Sequence, residues 1–435
     1  MLTLSILSCL FSLLVGSSYL LLRVSIILFF IYFLSMRRSF YISVITVLRS
    51  FIFVDTVSLF MSCLLFVVLY LSYLVSFSSS SPRLIFVVFL ALFIFCYTVF
   101  TTSHLFLLYF YYEASLVPIL FIIVKWGSYP ERSVSAIMML FYTLIFGAPV
   151  FVLIIYFNIL LGTWYIPIID SNSSFLVSFC LFLCFSVKLP IYGLHFWLPI
   201  AHVEAPTYGS IILASVLLKL GGVGLLRLEE IIDVSFFKDF LLSYFMIFIL
   251  FSRVVCCYQS DFKRLIAYSS VAHIIVIPFL IFSNNHLSLI TLLLVMFLHG
   301  LSSTLMFMRV GYLYIMYSTR QLVLMRGLLL VSPLFSFFIV LIFLFTLSAP
   351  PFPSYVAEIF FFLSSFFLSS FFLYLVLLFA FLGLVYNLNW LTSILFSTLR
   401  GSLAFSSFSL SYRFFLCAVL SFFEVLPIFL LFYFL

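Results

Sequence analysis

Four acid and amine side chains stand where a hydrocarbon-rich sequence has little use for them. Glu113 lies in FYYEASLVP (110–118), Lys188 in VKLP (187–190), Lys219 in LASVLLKLGG (213–222), and Glu358 stands seventh after Pro351. His273 and His299 fall in similarly apolar surroundings. A charge at the centre of a bilayer costs about 2.5–3.5 kcal/mol, so four left unpaired would cost roughly 10–14 kcal/mol. Such groups persist only where they pair or line a hydrated path. The chemistry open to them is proton transfer. Glu113 and Lys188 can form an ion pair whose opening and closing changes the proton affinity of their neighbours. Lys219 can accept and release a proton, and His273 and His299 can relay, because histidine changes charge near neutral pH. Glu358 supplies a terminal carboxylate. A purely structural ion pair is the competing reading for the acids and lysines, and helix-packing hydrogen bonds for the histidines. His195, His202 and Glu204 lie near a polar span end, where an interfacial role competes.

The elements that must hold these residues are membrane helices. The 435 residues are 67% hydrophobic and only 7% charged, against roughly 25% charged in soluble domains, and the mean hydropathy is +1.41. Residues 133–169, 265–308, 327–357 and 359–399 carry no Asp, Glu, Lys or Arg, and about 20 apolar residues suffice for one span. The predicted spans are 1–22, 24–48, 51–77, 83–101, 103–125, 133–161, 174–198, 206–227, 236–253, 264–283, 287–317, 327–363, 364–397 and 411–435. The first is expected to be a retained span, not a cleaved leader. The net charge of +7 comes from basic residues between these runs, which reads as topology and not as a nucleic-acid face. Basic residues counted by loop favour the loops after odd-numbered spans, Arg253 and Lys263 among them, which places those loops in the matrix or cytoplasm and both termini opposite. Asp55 is expected to cap a helix, His104 and His286 to be loop residues, and Arg309 and Glu424 to snorkel from span ends. Eight cysteines show no metal-ligand or disulfide spacing and read as apolar filler.

Prolines interrupt two spans deep in apolar sequence, at VKLP (187–190) and APPFP (349–353). A central proline removes a backbone donor, which lipid tolerates only where protein or a watery cavity satisfies the freed carbonyls. Two such breaks five spans apart point to inverted repeats, with simple kinked helices as the alternative. The expected architecture is therefore all-α, a polytopic protein of about 14 transmembrane helices with two inverted five-helix repeats and broken helices 7 and 12. Its divisions are 1–82, 83–228 (spans 4–8), 229–400 (spans 9–13) and 401–435.

The block KLPIYGLHFWLPIAHVEAPTYGS (188–210), followed by LASVLLKLGG (213–222), closely resembles the antiporter-like membrane subunits of NADH:ubiquinone oxidoreductase, respiratory complex I. DFKRLIAYSSVAH (261–273) and HGLSS (299–303) resemble two further motifs of that family, and the ordered likeness runs from about residue 51 to 358. The sequence HVEAP (202–206), the acid at Glu358 and a chain that stops after its fourteenth span resemble the subunit 4 type. Ala357 stands where the family usually has Gly, and Arg309 and Arg326 where it has apolar or small residues. The resemblance implies proton translocation along Glu113, Lys188, Lys219, His273, His299 and Glu358, with His202 bridging toward Lys219. It implies no cofactor in this chain, since FMN, iron–sulfur clusters and ubiquinone would belong to partner subunits. It implies subunit 5 and subunit 2 type neighbours, membrane lipids and no nucleic acid. The expected location is the mitochondrial inner membrane, or the plasma membrane of a bacterium. A stand-alone Mrp-type sodium/proton antiporter and a purely structural membrane scaffold are the competing functions.

Overall fold

In the computed structural model, residues 55–76, 81–162, 164–166, 169, 175–229, 231–232, 238–350 and 352–396 are described. The predicted spans 1–22, 24–48 and 411–435, with Glu424, lie outside them. The described chain is helical, with only two isolated bridges, His104 to Tyr165 and Asp261 to Gln321. Nine of its helices are long and apolar enough to cross a membrane, and three shorter apolar helices accompany them.

The order is α1 (Thr56–Ser76), α2 (Pro82–Thr101), α3 (Leu105–Ala114), α4 (Leu116–Trp126), α5 (Arg132–Leu161), α6 (Phe175–Lys188), α7 (Trp197–Glu204) and α8 (Thr207–Ile212). A π-helical turn (Leu213–Leu217) leads into α9 (Leu218–Arg227). Then follow α10 (Lys238–Cys257), α11 (Phe262–Ser283), α12 (His286–Tyr317), α13 (Pro333–Thr346), α14 (Pro353–Leu368) and α15 (Ser370–Phe396). Helices α3 and α4 form one span interrupted at Ser115. The cause is Pro118, whose ring opposes the Ala114 carbonyl four residues back. The interruption falls two residues after Glu113.

Both predicted broken spans are broken. Helix α6 ends at Lys188 and resumes as α7 at Trp197; α13 ends at Thr346 and resumes as α14 at Pro353. The boundary predicted between 363 and 364 moves to Ser369, whose extended backbone separates α14 from α15.

Burial sorts the helices by role. The span Thr207–Arg227 has 94% of its most apolar window buried, against 28% for α5 and for α15. Lys219 therefore sits on the central rod, while α5 and α15 turn Phe141, Leu144, Val152, Phe371 and Phe381 outward. A helix buried on all sides suits the interior of a bundle, and one apolar all round suits lipid or a neighbouring subunit. Small residues let the central rod touch α6. A Cβ on Gly224 would collide with the Phe185 ring, and one on Gly221 would lie 2.9 Å from the Phe185 carbonyl oxygen. Since Phe185 is itself fully buried, it has no room to retreat. Gly224→Ala is expected to destabilise the protein by about 1–3 kcal/mol through overpacking, read as a lower unfolding temperature of the purified assembly. The added change Phe185→Leu should recover most of the loss; no shift with Gly224→Ala alone would contradict the packing.

Candidate functional site

The first break builds the surroundings of Lys188. The Trp197 indole N–H donates to the Val187 carbonyl at 3.2 Å, so the turn of backbone lost at Pro190 is recovered by a side chain. Gly193 makes the return with φ +86°, a conformation glycine adopts without strain. Lys188, 1% exposed, donates its Nζ to the Tyr112 carbonyl at 2.6 Å and lies 3.2 Å from the centre of the Tyr112 ring. The Tyr112 hydroxyl in turn donates to the Cys184 carbonyl. The direct Glu113–Lys188 ion pair expected from sequence is not formed: the two are neighbours in charge, but no N–O approach within 4 Å joins them. Glu113 turns instead toward Tyr109 and Gly147, and its Oε1 is buried without a hydrogen-bond partner. Lys188 has exchanged the carboxylate for the carbonyl one residue earlier.

The second cluster is centred on Lys219. The π-helical turn widens the helix and offsets its carbonyls, a geometry common at functional positions. The freed Ala214 carbonyl accepts from Lys219 Nζ at 2.6 Å. The same Nζ lies 2.9 Å from Nδ1 of His299 on α12. His299 and His273 face each other with ring centres 5.4 Å apart. Both line a cavity of about 70 Å³ that reaches Ser348 and Glu358. At roughly 10–15 Å³ per water, that space has room for several waters. Glu358 Oε1 accepts from the Ser348 hydroxyl at 2.7 Å, and at the second break the Phe345 carbonyl accepts from the Ser354 hydroxyl at 2.7 Å beside the Ser348 N–H at 3.3 Å. Lys219, His299, His273 and Glu358 are thus brought to one connected site.

Other residues depart from expectation. His202 is fully buried and stacked on Phe307 at 4.9 Å; neither ring nitrogen has a hydrogen-bond partner among the described residues, so it does not bridge to Lys219. His195 packs among Phe196, Phe248 and Tyr192. Three cations taken for boundary charges point inward. Lys263 Nζ donates to the Ala205 carbonyl at 2.9 Å. Arg309 does not snorkel: it is 0% exposed, with its guanidinium 3.8 Å from the Phe343 ring centre and 4.6 Å from that of Phe262. Arg253, 2% exposed, reaches His273 Nε2 at 2.8 Å and the Tyr386 hydroxyl. One signal could have found Arg253, the unbroken apolar run on both sides of it in FILFSRVVCC (248–257). Asp55 caps α1 as expected, accepting from Ser58 N–H, and it also pairs with Arg227 at 2.9 Å. Outside the spans, burial raises the Glu204 carboxyl above its ordinary value against the field of Arg320. His104 opens α3 with its ring edge-on to Tyr165.

Comparison with known proteins adds a family. The profile described as NADH:quinone oxidoreductase/Mrp antiporter, TM, matches residues 102–385. NADH-ubiquinone oxidoreductase chain 4 of Chondrus crispus is 34% identical over 368 residues, 82% of this chain and 74% of that one. The protein of the same name in Locusta migratoria is 38% identical over 54% of each chain, and that of Struthio camelus 36% identical over 60% of this chain and 59% of its own. The alignments with the latter two thus span little more than half of those relatives. Among solved structures, a chain of respiratory complex I from Thermus thermophilus with bound NADH superposes with a TM-score of 0.78 at 21% identity, over 97% of this chain and 94% of that one. A chain of an archaeal respiratory membrane complex, the membrane-bound sulfane sulfur reductase, gives 0.76 at 16% identity, over 98% and 94%. At those identities the likeness is one of fold.

The first break yields a direct test. Trp197→Phe keeps the ring and removes the donor, leaving the buried Val187 carbonyl unsatisfied at a cost of about 1–3 kcal/mol. The unfolding temperature of the purified assembly should fall; an unchanged value would show that the indole bond does not hold the break.

Proposed function

Because the chain belongs to the family of NADH:quinone oxidoreductase and Mrp antiporter membrane subunits, within it to the chain 4 type, we propose that its buried site translocates protons as part of NADH:ubiquinone oxidoreductase. The chain is a membrane component of a multi-subunit assembly. On this reading its neighbours are subunit 5 and subunit 2 type chains and lipids, which the apolar outer faces of α5 and α15 suit. The membrane is the mitochondrial inner membrane, with both termini on the intermembrane-space side. FMN, iron–sulfur clusters and ubiquinone belong to the partners, and this chain only moves protons.

One observation carries the reading: a fully buried lysine 2.9 Å from a histidine that opens onto a polar cavity. As an ammonium, Lys219 donates to His299 Nδ1. When the proton crosses, the amine lone pair accepts from the same Nδ1–H, and the imidazolium can release its Nε2 proton toward the cavity. The Ala214 carbonyl keeps Nζ in place in both states. Glu358, tethered by Ser348, is the acceptor across the cavity. On the other side, Lys188 held on the Tyr112 carbonyl with Glu113 unpaired is the open state of that pair. Re-forming the pair would shift the Lys188 charge within the same low-dielectric interior, where unscreened charges act over several ångströms. The Mrp-type alternative separates by co-purification, for only the complex I reading has NADH-oxidising activity following this chain.

Lys219→Ala should leave the complex assembled and lower proton translocation per NADH oxidised, with the transfer step slowed roughly 10²-fold or more, as for loss of a positioned acid–base group. The check is pumping into liposomes beside a native gel for assembly. Full-rate pumping by an assembled Lys219→Ala complex would exclude the proton-carrier role.

A further inference from the structure

Among the described residues, Arg253 is the cation that reaches the cavity wall from outside the Lys–His–Glu series. It projects from α10 onto α15, where its guanidinium lies 4.1 Å from the Phe379 ring centre and 5.3 Å from that of Tyr386. Gly383 gives it room, since a Cβ there would stand 3.0 Å from Nη1. Nη1 donates to the Tyr386 hydroxyl and Nη2 to His273 Nε2 at 2.8 Å. Tyr386, His273, His299 and Glu358 line the same cavity. The guanidinium is thus seated by two rings, one glycine and two hydrogen bonds.

A guanidinium has five donors and no acceptor, and it does not lose its proton in proteins. His273 Nε2 can meet it only as a lone pair, so the ring is neutral with its hydrogen on Nδ1. An imidazolium carries hydrogens on both nitrogens and would set N–H against N–H and charge against charge. A relay histidine accepts on one nitrogen and releases from the other. With Nε2 occupied by Arg253 and Nδ1 already bearing its hydrogen, His273 does neither. His299 differs, because its Nδ1 faces Lys219, which can both give and take a proton.

We propose that Arg253 is a positioning residue that latches His273 in its neutral form, so that protons leave His299 through the cavity to Glu358 while His273 is held out of the relay. The latch rests on the proton-translocation reading above. It also serves that reading: a protonated ring 5.4 Å from His299 would oppose each proton arriving from Lys219. The groups around His273 are His299 and Lys219 on one side, Arg253 and Tyr386 on the other, and Glu358 across the cavity. Breaking the Arg253 contact is the one change that frees its second nitrogen.

The test is the pH profile of NADH-driven proton pumping by the reconstituted complex carrying Arg253→Met. Freed of the latch, His273 can take a second proton; a histidine in water is about nine-tenths protonated at pH 5.5, and burial reduces that share. Pumping by Arg253→Met should therefore fall between pH 8 and pH 5.5 by up to about tenfold, the limit for a histidine of solution value, beyond any fall in the unaltered complex. Arg253→Met/His273→Gln should abolish the new inflection. A role in packing alone would lower the rate equally at every pH and leave no inflection; that outcome overturns the latch. An inflection that persists in the double variant overturns it too. Failure of the underlying reading is separate, since it shows as full pumping by Lys219→Ala. If Arg253→Met does not assemble, a map of the unaltered complex by electron cryo-microscopy decides. Arg253 within hydrogen-bond distance of Nε2 is expected, and a separation above about 4 Å, beyond any hydrogen bond, overturns the proposal.

Discussion

A polar group inside hydrocarbon has no water to fall back on, and much of the structure follows from finding partners for such groups. Wherever a helix opens, a side chain closes it. The Trp197 indole reaches the Val187 carbonyl, the Ser354 hydroxyl reaches the Phe345 carbonyl, and Lys219 reaches the Ala214 carbonyl loosened by the π turn. The openings are also where the ionisable groups sit. Lys188 ends the helix before the first break, Glu358 follows the second, and Glu113 precedes the interruption caused by Pro118. Backbone irregularity and buried charge occupy the same places because each supplies what the other lacks, a free carbonyl for an amine or room for a carboxylate.

Lys188 and Lys219 resemble each other in this respect. Each amine rests on a backbone carbonyl at 2.6 Å, and each has one exchangeable partner nearby. The carbonyl holds the nitrogen in place without taking its proton, so the second partner can change while geometry does not. Glu113 is absent from Lys188's contacts, whereas His299 is present in those of Lys219. An anchored amine with a variable second contact is well suited to passing a proton, and less suited to acting only as a structural ion pair.

The cations surrounding this core are placed by the same rule. Lys263 caps carbonyls at the end of α7, Arg309 lies between two phenylalanine rings, and Arg253 spans a ring, a hydroxyl and an imidazole. Aromatic faces offer a cation partial compensation that aliphatic side chains cannot. In a chain with 63 phenylalanines, such faces are always at hand, which explains how several arginines and lysines tolerate burial without acidic partners.

The sequence by itself determined the membrane class, the all-α architecture, the two broken helices and the residues that could do chemistry. Those are local properties: hydropathy over about 20 residues, a proline against the carbonyl four residues back, a charge with apolar neighbours on both sides. The resemblance carried by residues 188–222 extended that reading to a family. Only the tertiary structure decided partners. Lys188 meets a carbonyl 76 positions earlier and Lys219 a histidine 80 positions later, and no periodicity encodes contacts at that range. It likewise decided that Arg253 and Lys263 face inward. Long side chains swing through several ångströms, and whether the head group meets water or a buried acceptor depends on which helix lies opposite.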